Sequence, residues 1–229
     1  MALHFITGAG AGIGSALATR LTDRGDDLVL LARNEDRARV LRERFPGAAT
    51  VHADLAAPAR LAEVLSEQDL PDRLDSLIHA AGVVELGRVD ALPSSSWMWQ
   101  LQVNLVAPAE LTRIMLPALR QAGGQVLFVN SGAGLRASPD WSAYAASKHG
   151  LKALADALRA EEAEHGIRVS TIYPGRTATP MQALVHEQEG QPYDPTKFID
   201  PESVVTGMLT MLDLPRDAQL TDLTIRPRD

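Results

Sequence analysis

The amino-acid sequence predicts a doubly wound α/β domain, in which a parallel sheet of seven strands carries helices on both faces. Apolar runs of strand length alternate with amphipathic stretches of helix length along most of the chain. The apolar runs are nearly continuous, which is typical of strands that are buried on both faces of a sheet. In such a fold, ligands bind at the carboxyl ends of the strands.

Strands and helices follow one another along most of the chain. The strands are predicted near 3–7, 27–32, 49–53, 74–80, 124–130, 167–173 and 220–225. The helices are predicted near 12–24, 34–44, 58–67, 94–121, 142–164 and 201–213. Residues 176–200 break this rhythm because they are polar and contain prolines, and we expect a partly helical flap over the ligand there. No stretch resembles a linker, so residues 1–229 are expected to form a single domain.

Composition excludes several classes of function. The chain has 229 residues, of which 45% are hydrophobic, and its formal net charge is −7. This acidity argues against nucleic acid or an anionic membrane as a partner. The absence of cysteine excludes disulfides and thiolate chemistry, and the six scattered histidines give no metal-binding pattern. Because there is no signal peptide and no apolar run near the ~20 residues of a membrane span, a soluble cytoplasmic protein is expected.

The first predicted strand ends in a glycine-rich turn that opens directly into a helix. Glycines let the backbone turn tightly and approach a pyrophosphate, which then binds to amides at the helix N-terminus. The alternative is an ordinary glycine turn, but the position between strand and helix favours a dinucleotide site. The predicted cofactor contacts in this turn are Thr7, Gly8, Gly12, Ile13 and Gly14.

The second predicted strand ends in Ala32-Arg33-Asn34. In a dinucleotide site, an acidic residue at this point holds the 2′-hydroxyl of NAD, whereas a nearby arginine pairs with the 2′-phosphate of NADP. Arg33 occupies the position, and Arg37 lies one helical turn further on. The alternative is that Arg33 only begins a charged, solvated helix. The pattern favours NADP(H) over NAD(H).

Three further strand ends are candidates for cofactor contact. Asp54 follows the third strand and could accept a hydrogen bond from adenine, or cap the next turn. The fourth strand ends in small residues that suit contact through the backbone, and His79 before them is predicted to be a packed strand histidine. The sixth strand ends in a rigid turn that suits the wall of a ligand site. The predicted contacts at these ends are Asp54, Leu55, Ala80, Ala81, Gly82, Pro174, Gly175, Thr177 and Thr179.

The stretch that begins at Ser131 carries the candidate chemistry. Tyr144 and Lys148 are four residues apart in a predicted helix, so their side chains share one face. A free tyrosine has a pKa of about 10, and a nearby ammonium is expected to pull it down towards the working pH. The alternative is a helix whose Tyr and Lys only reach solvent. Asn104, inside a long apolar helical pattern and before Pro108, needs a polar partner, for which the carbonyl freed by the proline is one candidate.

Together these motifs resemble the short-chain dehydrogenase/reductase family in its single-domain form, over nearly the whole chain. The resemblance is carried by the glycine turn, by Asn104, by Ser131 with Tyr144-x-x-x-Lys148, and by the turn from Pro174 to Thr179. One departure is that His79-Ala80-Ala81-Gly82 stands where the family has Asn-Asn-Ala-Gly. The resemblance implies a Rossmann-like fold.

The resemblance also implies roles for individual residues. Tyr144 would be the general acid or base, Lys148 would lower its pKa and hold the nicotinamide ribose, and Ser131 would hydrogen-bond the substrate carbonyl. Asn104 would hold a water in a proton relay through Lys148. Thr179, with the backbone near Thr177, would anchor the nicotinamide carboxamide.

The implied function is an NADP(H)-dependent oxidoreductase that interconverts a small carbonyl compound and a secondary alcohol. The alternatives are an inactive nucleotide-sensing protein on the same fold and an NAD-dependent alcohol dehydrogenase. Leu135, Trp141, Tyr173 and the flap are expected to shape the substrate site, and their apolar content hints at a hydrophobic or aromatic carbonyl. By resemblance, helices around 97–121 and 143–164 pair between subunits, so a homodimer or homotetramer is expected.

Overall fold

A computed structural model describes residues 1–228 and contains one sheet of seven strands. All strand pairs are parallel, and the order across the sheet is β3-β2-β1-β4-β5-β6-β7. The predicted fold class is therefore confirmed. The strands are β1 Leu3–Thr7, β2 Asp27–Ala32, β3 Ala49–His52, β4 Ser76–His79, β5 Gln125–Val129, β6 Arg168–Pro174 and β7 Asp222–Ile225.

Helices connect the strands and cover both faces of the sheet. None of the helices in residues 1–228 is long and apolar enough to cross a membrane. The helices are α1 Gly12–Asp23, α2 Glu35–Arg44, α3 Leu61–Ser66, α4 Ser94–Leu101, α5 Ala107–Ala122, α6 Ser142–Glu161, α7 Pro180–Gln188 and α8 Pro201–Asp213.

Two hydrophobic cores lie on the two faces of the sheet, because successive strand residues point to opposite sides. Phe5 packs into the core with α3, α5 and α6, whereas its neighbour Ile6 packs into the core with α1, α2 and α8. Val29 and Leu30 divide in the same way. Burial on both sides explains why the strands are apolar throughout.

The predicted helix 94–121 is interrupted by a π-helical turn at Gln102–Val106. The amide of Ala107 donates to the carbonyl of Gln102, five residues back, instead of four. Pro108 has no amide hydrogen and cannot donate to the carbonyl of Asn104. The π turn therefore inserts one extra residue at Asn104, between α4 and α5.

The flap, residues 176–200, contains helix α7 and is held at both ends. An isolated bridge joins Thr177 to Ile199. His186 packs against the rings of Tyr193 and Phe198, which stack on each other with centroids 5.7 Å apart. The flap therefore has a small aromatic core of its own.

Candidate active site

A cleft of about 1220 Å³ runs along the carboxyl ends of the strands. Its floor includes the glycine turn after β1, and it extends to Tyr144 and Lys148 on α6. Strand β1 lies between β2 and β4, where the order of connection reverses, and ligands of doubly wound sheets bind at that point. The fold therefore brings the predicted cofactor and catalytic residues to one edge.

The glycine turn has the geometry that a pyrophosphate requires. Gly8 and Gly12 adopt positive φ angles of 77° and 56°, which L side chains rarely adopt. Helix α1 begins after Ala11, and no side chain in residues 1–228 caps it. Its first amides therefore face the cleft as donors for a phosphate oxygen. Ile13 and Gly12 line the cleft here.

Two predicted cofactor residues of this turn lie behind the cleft wall. Thr7 is buried, and its hydroxyl accepts hydrogen bonds from the amides of Ala80 and Ala81, each at 3.1 Å. A Cβ at Gly14 would lie 2.4 Å from the carbonyl oxygen of Gly8. Thr7 joins the ends of β1 and β4, and Gly14 allows α1 to pack against the turn. Both residues support the wall instead of forming its surface.

Ser131 stands at the end of β5 in extended conformation. Its amide donates to the Asn130 side chain at 2.8 Å, and that side chain donates to the carbonyl of Lys148 at 3.0 Å. Asn130, which the sequence analysis did not single out, therefore ties the serine to helix α6. The Ser131 hydroxyl accepts a hydrogen bond from the amide of Ala133 at 3.1 Å.

Tyr144 and Lys148 share one face of α6, as predicted, and both are buried. The Lys148 ammonium lies 5.9 Å from the centre of the Tyr144 ring and donates to the carbonyl of Val129 at 3.1 Å. Burial raises the pKa of Tyr144 to about 12, although a hydrogen bond with Ser131 acts in the lowering direction. Burial lowers the pKa of Lys148 to about 8.

The Tyr144 pKa shift is opposite to the expected one. In the protein alone, burial of the phenol outweighs the other influences, and the Lys148 ammonium is not among the causes of the shift. Burial favours the uncharged form of both groups, so the phenol is protonated at neutral pH.

Asn104 is buried in the π turn and makes three side-chain hydrogen bonds. Its side chain exchanges two bonds of 2.9 Å with the backbone of Val83 and donates to Ser147 at 3.0 Å. Ser147 in turn donates to the carbonyl of Tyr144 at 2.7 Å. The expectation that a carbonyl freed by Pro108 would be the partner is wrong. Asn104 instead joins the loop after β4 to helix α6.

At the other end of the cleft, Arg33 and Asp54 lie side by side on the surface. The Arg33 Nε atom is 4.0 Å from the Asp54 Oδ1 atom, and the two side chains are 67% and 49% exposed. Asp54 also accepts a hydrogen bond from the amide of Ala56 at 2.9 Å. It therefore caps the turn that follows β3, which was the alternative role for this residue. Arg37 and Leu55 line the same end.

The turn after β6 lies against the glycine turn. A Cβ at Gly12 would lie 3.1 Å from the Thr179 methyl group, and the Thr179 hydroxyl accepts from the amide of Gln182 at 3.3 Å, capping α7. The Thr177 hydroxyl donates to the carbonyl of Gly175 at 3.0 Å. The residues that line the cleft here and at the end of β4 are Pro174, Gly175, Thr177, Thr179, Ala80, Ala81 and Gly82.

Comparison with known proteins assigns this arrangement to a family. The family model described as short chain dehydrogenase matches residues 3–190. The chain belongs to the short chain dehydrogenase family. It is an oxidoreductase of a family that acts with NAD(P).

Proteins similar to this short chain dehydrogenase include solved structures that hold either cofactor. An uncharacterized NAD-dependent oxidoreductase of Mycobacterium tuberculosis is 32% identical, with 87% of this chain and 85% of the relative covered. A protein from Escherichia coli CFT073 described as a short chain dehydrogenase, complexed with NADPH, has a TM-score of 0.84 at 27% identity, covering 100% of this chain and 97% of that chain. A 4-hydroxyisoleucine dehydrogenase complexed with NADH has a TM-score of 0.82 at 26% identity, covering 99% and 97%.

The end of the cleft next to Tyr144 differs in its lining from the substrate site that the sequence predicts. Trp141 lines the cleft, and its ring packs edge-on against Tyr144 with centroids 5.7 Å apart. Leu135 and Tyr173, also expected there, do not line it. Leu135 is exposed, and Tyr173 is buried with its hydroxyl group outside the cleft. Met181 and Val185 of α7 supply the apolar wall instead.

Four arginines line the cleft that the sequence does not mark as parts of the site: Arg44, Arg136, Arg176 and Arg226. Arg44 lies in the last turn of α2 and donates to the carbonyl of Gly10 at 3.3 Å. Arg226 directly follows β7, just as Arg33 follows β2. The rule that ligand residues follow strand ends could have found Arg226, but not Arg44 or Arg136.

Proposed function

We propose that this short chain dehydrogenase interconverts a carbonyl compound and a secondary alcohol, with NADP(H) preferred and Tyr144 as the general acid or base. One observation carries the proposal. Ser131, Tyr144 and Lys148 meet at the end of the cleft that begins at the glycine turn. Residues 1–229 would then form one domain that holds both cofactor and substrate.

The residues of the site fit a dinucleotide. The uncapped N-terminus of α1 offers amide donors for the pyrophosphate, and Gly10 leaves open space in front of it, since a Cβ there would meet no atom within 4 Å. The Thr177–Thr179 turn would hold the carboxamide, and Lys148 the ribose. When bound, the nicotinamide supplies or accepts the hydride.

The proposed roles of the side chains follow from their positions. The hydroxyls of Ser131 and Tyr144 would bind the substrate oxygen, where negative charge develops during reduction. Tyr144 would then donate its proton to that oxygen, and its high pKa keeps the proton available at neutral pH. A neighbouring positive charge on Lys148 would favour the phenolate that is left behind. Asn104 holds the Val83 backbone and α6 in register, and it would also hold the water of a relay through Lys148.

The preference for NADP(H) rests on the charge at the adenosine end. Arg33, Arg37 and Arg44 line that end, and a guanidinium pairs well with a phosphate monoester. Asp54 beside Arg33 is the observation that favours NAD(H), because a carboxylate can accept from a free 2′-hydroxyl. Three cations against one anion favour the phosphate.

The test is a panel of carbonyl compounds followed by NADPH consumption, with NADH run in parallel. For an active compound, Tyr144→Phe is expected to reduce kcat by roughly 10²–10⁴-fold, because the proton donor is lost. The Kd for NADPH should stay within about threefold of wild type. Normal turnover by Tyr144→Phe would contradict the mechanism, and equal use of NADH would contradict the cofactor preference.

Tyr173→Phe is the matched control. It removes another buried phenol hydroxyl, one that belongs to a residue that does not line the cleft. Its kcat is expected to equal that of the wild type. A comparable loss in both variants would show that the Tyr144 result reports general damage to the fold.

We also propose that the enzyme is a homodimer or homotetramer. Exposed apolar side chains support this, since Met98 on α4 and Val106 next to α5 are 54% and 45% exposed. Light scattering at micromolar concentration should give a multiple of 24.6 kDa. A mass equal to one chain would contradict the proposal.

A further inference from the structure

The cleft is far more basic than the chain around it. Asp54 is the single carboxylate among its lining residues, although the chain as a whole has a net charge of −7. Six arginines line the cleft in two groups: Arg33, Arg37 and Arg44 at the α2 end, and Arg136, Arg176 and Arg226 at the substrate end. A dinucleotide accounts for the first group, which faces its adenosine half, but not for the second.

The arginines of the second group are not equivalent. Arg176 makes two hydrogen bonds with the Glu189 carboxylate, at 2.8 and 2.5 Å, and lies over the Trp141 ring. Its charge is therefore neutralised. Arg136 and Arg226 form no salt bridge with any carboxylate within residues 1–228. Two guanidinium groups are thus available to a ligand at this end.

Arg226 reaches the catalytic serine because of the sheet order. It follows β7, and β7 is the second neighbour of β5, whose end carries Ser131. The Arg226 Nη1 atom lies 2.5 Å from the point where a Cβ of Gly132 would be, so the guanidinium lies against the residue after Ser131. Arg136 belongs to the same turn, since its amide donates to the carbonyl of Gly132 at 3.1 Å.

The phosphate site of a dinucleotide lies further from this pair than Ser131 does. The pyrophosphate site lies at the end of β1, which is separated from β7 by β4, β5 and β6. At about 4.8 Å between neighbouring strands, the two ends are roughly 19 Å apart. The ends of β5 and β7 are only about 10 Å apart on the same basis. The Arg226 guanidinium itself lies against Gly132 at the end of β5, two strand spacings or about 10 Å from the end of β1, so Ser131 is the nearer of the two sites.

The same end of the cleft also has an apolar patch. Trp141, Met181 and Val185 form it together with Val84, and they pack around Tyr144. A ligand that contacts both the patch and the two arginines has an apolar body and a charged end.

We propose that the substrate is a carbonyl compound with an oxyanionic group, a carboxylate or a phosphate monoester, that Arg226 and Arg136 bind. This inference rests on the proposed function and names the substrate class of the same site. Guanidinium groups bind both oxyanions in a bidentate, charge-assisted way. In the reduction, the carbonyl carbon gains a hydride from NADPH and the oxygen gains the Tyr144 proton. The oxyanion itself remains unchanged.

The experiment uses matched pairs of compounds and three variants. A panel of aliphatic and aromatic oxo acids and ketone phosphates is compared with the methyl esters and the dephosphorylated ketones, each with NADPH. Wild-type kcat/KM is expected to be at least tenfold higher for the anionic member of each active pair. Arg226→Gln and Arg136→Gln should each remove tenfold or more of that advantage, through KM, and leave the neutral member unchanged. The better substrate set, acids or phosphates, identifies the oxyanion.

Arg60→Gln is the control, because it removes an exposed positive charge that does not line the cleft. It is expected to keep the full advantage of the anionic members. Neutral members that react as fast as anionic ones would overturn the proposal and leave the proposed function intact, as would a preference that survives in both arginine variants.

If no compound of the panel is turned over, the result counts against the proposed function. Ligand binding, measured by thermal shift, then tests the oxyanion site separately. With NADP⁺ present, the anionic compounds should raise the thermal midpoint of the wild type more than the neutral ones. That difference should disappear in Arg226→Gln. Equal shifts for the two members of every pair would overturn the oxyanion site as well.

Discussion

The two ends of the cleft differ in how they hold their charged groups. At the proposed catalytic end, Tyr144 and Lys148 are 6% and 3% exposed, and Lys148 is fixed by a hydrogen bond to the sheet. At the adenosine end, Arg33 is 67% exposed and stands 4.0 Å from an exposed aspartate. Burial sets the pKa values of the first pair, whereas the second pair is solvated and screened.

The difference indicates that the two ends of the cleft respond differently to substitution. The chemistry depends on many residues, whereas cofactor preference depends on few. Acid–base chemistry requires groups that are held rigidly in a site with little water, so several elements must cooperate to build the catalytic end. Recognition of a 2′-phosphate requires only a guanidinium at the right strand end. If the proposed cofactor site is right, a single substitution at Arg33 should change cofactor affinity, whereas the catalytic end depends on several elements at once.

The largest expected effect is that of Lys148→Met, which should lower turnover but raise the stability of the fold. Turnover should fall by roughly 10²–10⁴-fold, because the ammonium beside Tyr144 is lost. Burial of the lysine, with a pKa of about 8 against 10.5 for the unfolded chain, costs about 3 kcal/mol below pH 8. Loss of the bond to Val129 offsets part of this gain, so thermal unfolding at pH 7 should show a midpoint about 2–4 °C higher.

The pH dependence checks the cause. The unfolded chain binds the lysine proton up to pH 10.5, whereas the folded chain releases it near pH 8. The penalty is therefore complete below pH 8 and disappears as the pH rises to 10.5. The higher midpoint of Lys148→Met should therefore shrink over this range and then fall below that of the wild type, which keeps the bond to Val129. A lower midpoint for the variant at pH 7 would show that Lys148 stabilises the fold. It would contradict the view that burial of this charge costs stability.

Arg33→Ala should have a smaller effect and only on cofactor affinity. The Kd for NADPH should rise tenfold or more, since a charge-assisted phosphate contact contributes about 1.5–3 kcal/mol, while the Kd for NADH should stay within about threefold. Calorimetric titration measures both. Arg39→Ala is the control, because Arg39 is also exposed and lies on the same connection but does not line the cleft. Equal weakening of NADPH and NADH would remove the basis for preferring NADP(H).

The last prediction concerns the stability of the fold, through His79, a buried group near the proposed catalytic end. Burial and the Lys148 charge lower the pKa of His79 to about 3. The unfolded chain gains this proton below pH 6.5 but the folded chain does not, so stability falls from pH 6.5 towards pH 3. Between pH 7 and pH 5 the loss is about 2 kcal/mol, or roughly 4–8 °C in thermal midpoint.

His79→Gln tests this origin. It should lower the midpoint at pH 7, since the ring stacks on Phe128 with centroids 5.0 Å apart, but flatten the decline between pH 6.5 and pH 5. His165→Gln, at an exposed histidine, should keep the wild-type slope. If the midpoint of His79→Gln still falls with pH as steeply as that of the wild type, the loss of stability comes from other groups. The buried His4 is one such group, because burial also lowers its pKa.

Much of the fold and of the cleft could be predicted from the sequence, because both follow from periodic patterns. The pattern of apolar strands determines which segments enter the sheet, and the parallel arrangement places every strand end at one edge. The positions of Gly8, Arg33 and Ser131 at that edge follow directly. Tyr144 and Lys148 share a face because of helical geometry alone.

The rest could not be predicted, because it depends on contacts between distant segments. The partners of Asn104 come from a loop 21 residues away and from α6, and no local pattern announces them. The direction of the Tyr144 pKa shift depends on burial by surrounding elements. Tyr173 was misplaced because side chains alternate along β6, and its side chain lies outside the cleft although Pro174 lines it.

The π turn has a consequence for how the gene can vary. In the π turn Gln102–Val106, a backbone hydrogen bond joins residues five apart, whereas in a regular α-helix it joins residues four apart. Loss of any one of them would restore the regular spacing and turn everything on one side by about 100° relative to the other. Asn104 would then point away from Val83. This segment should therefore tolerate substitutions at several positions but no insertion or deletion. Alignments of related genes should show no gap there.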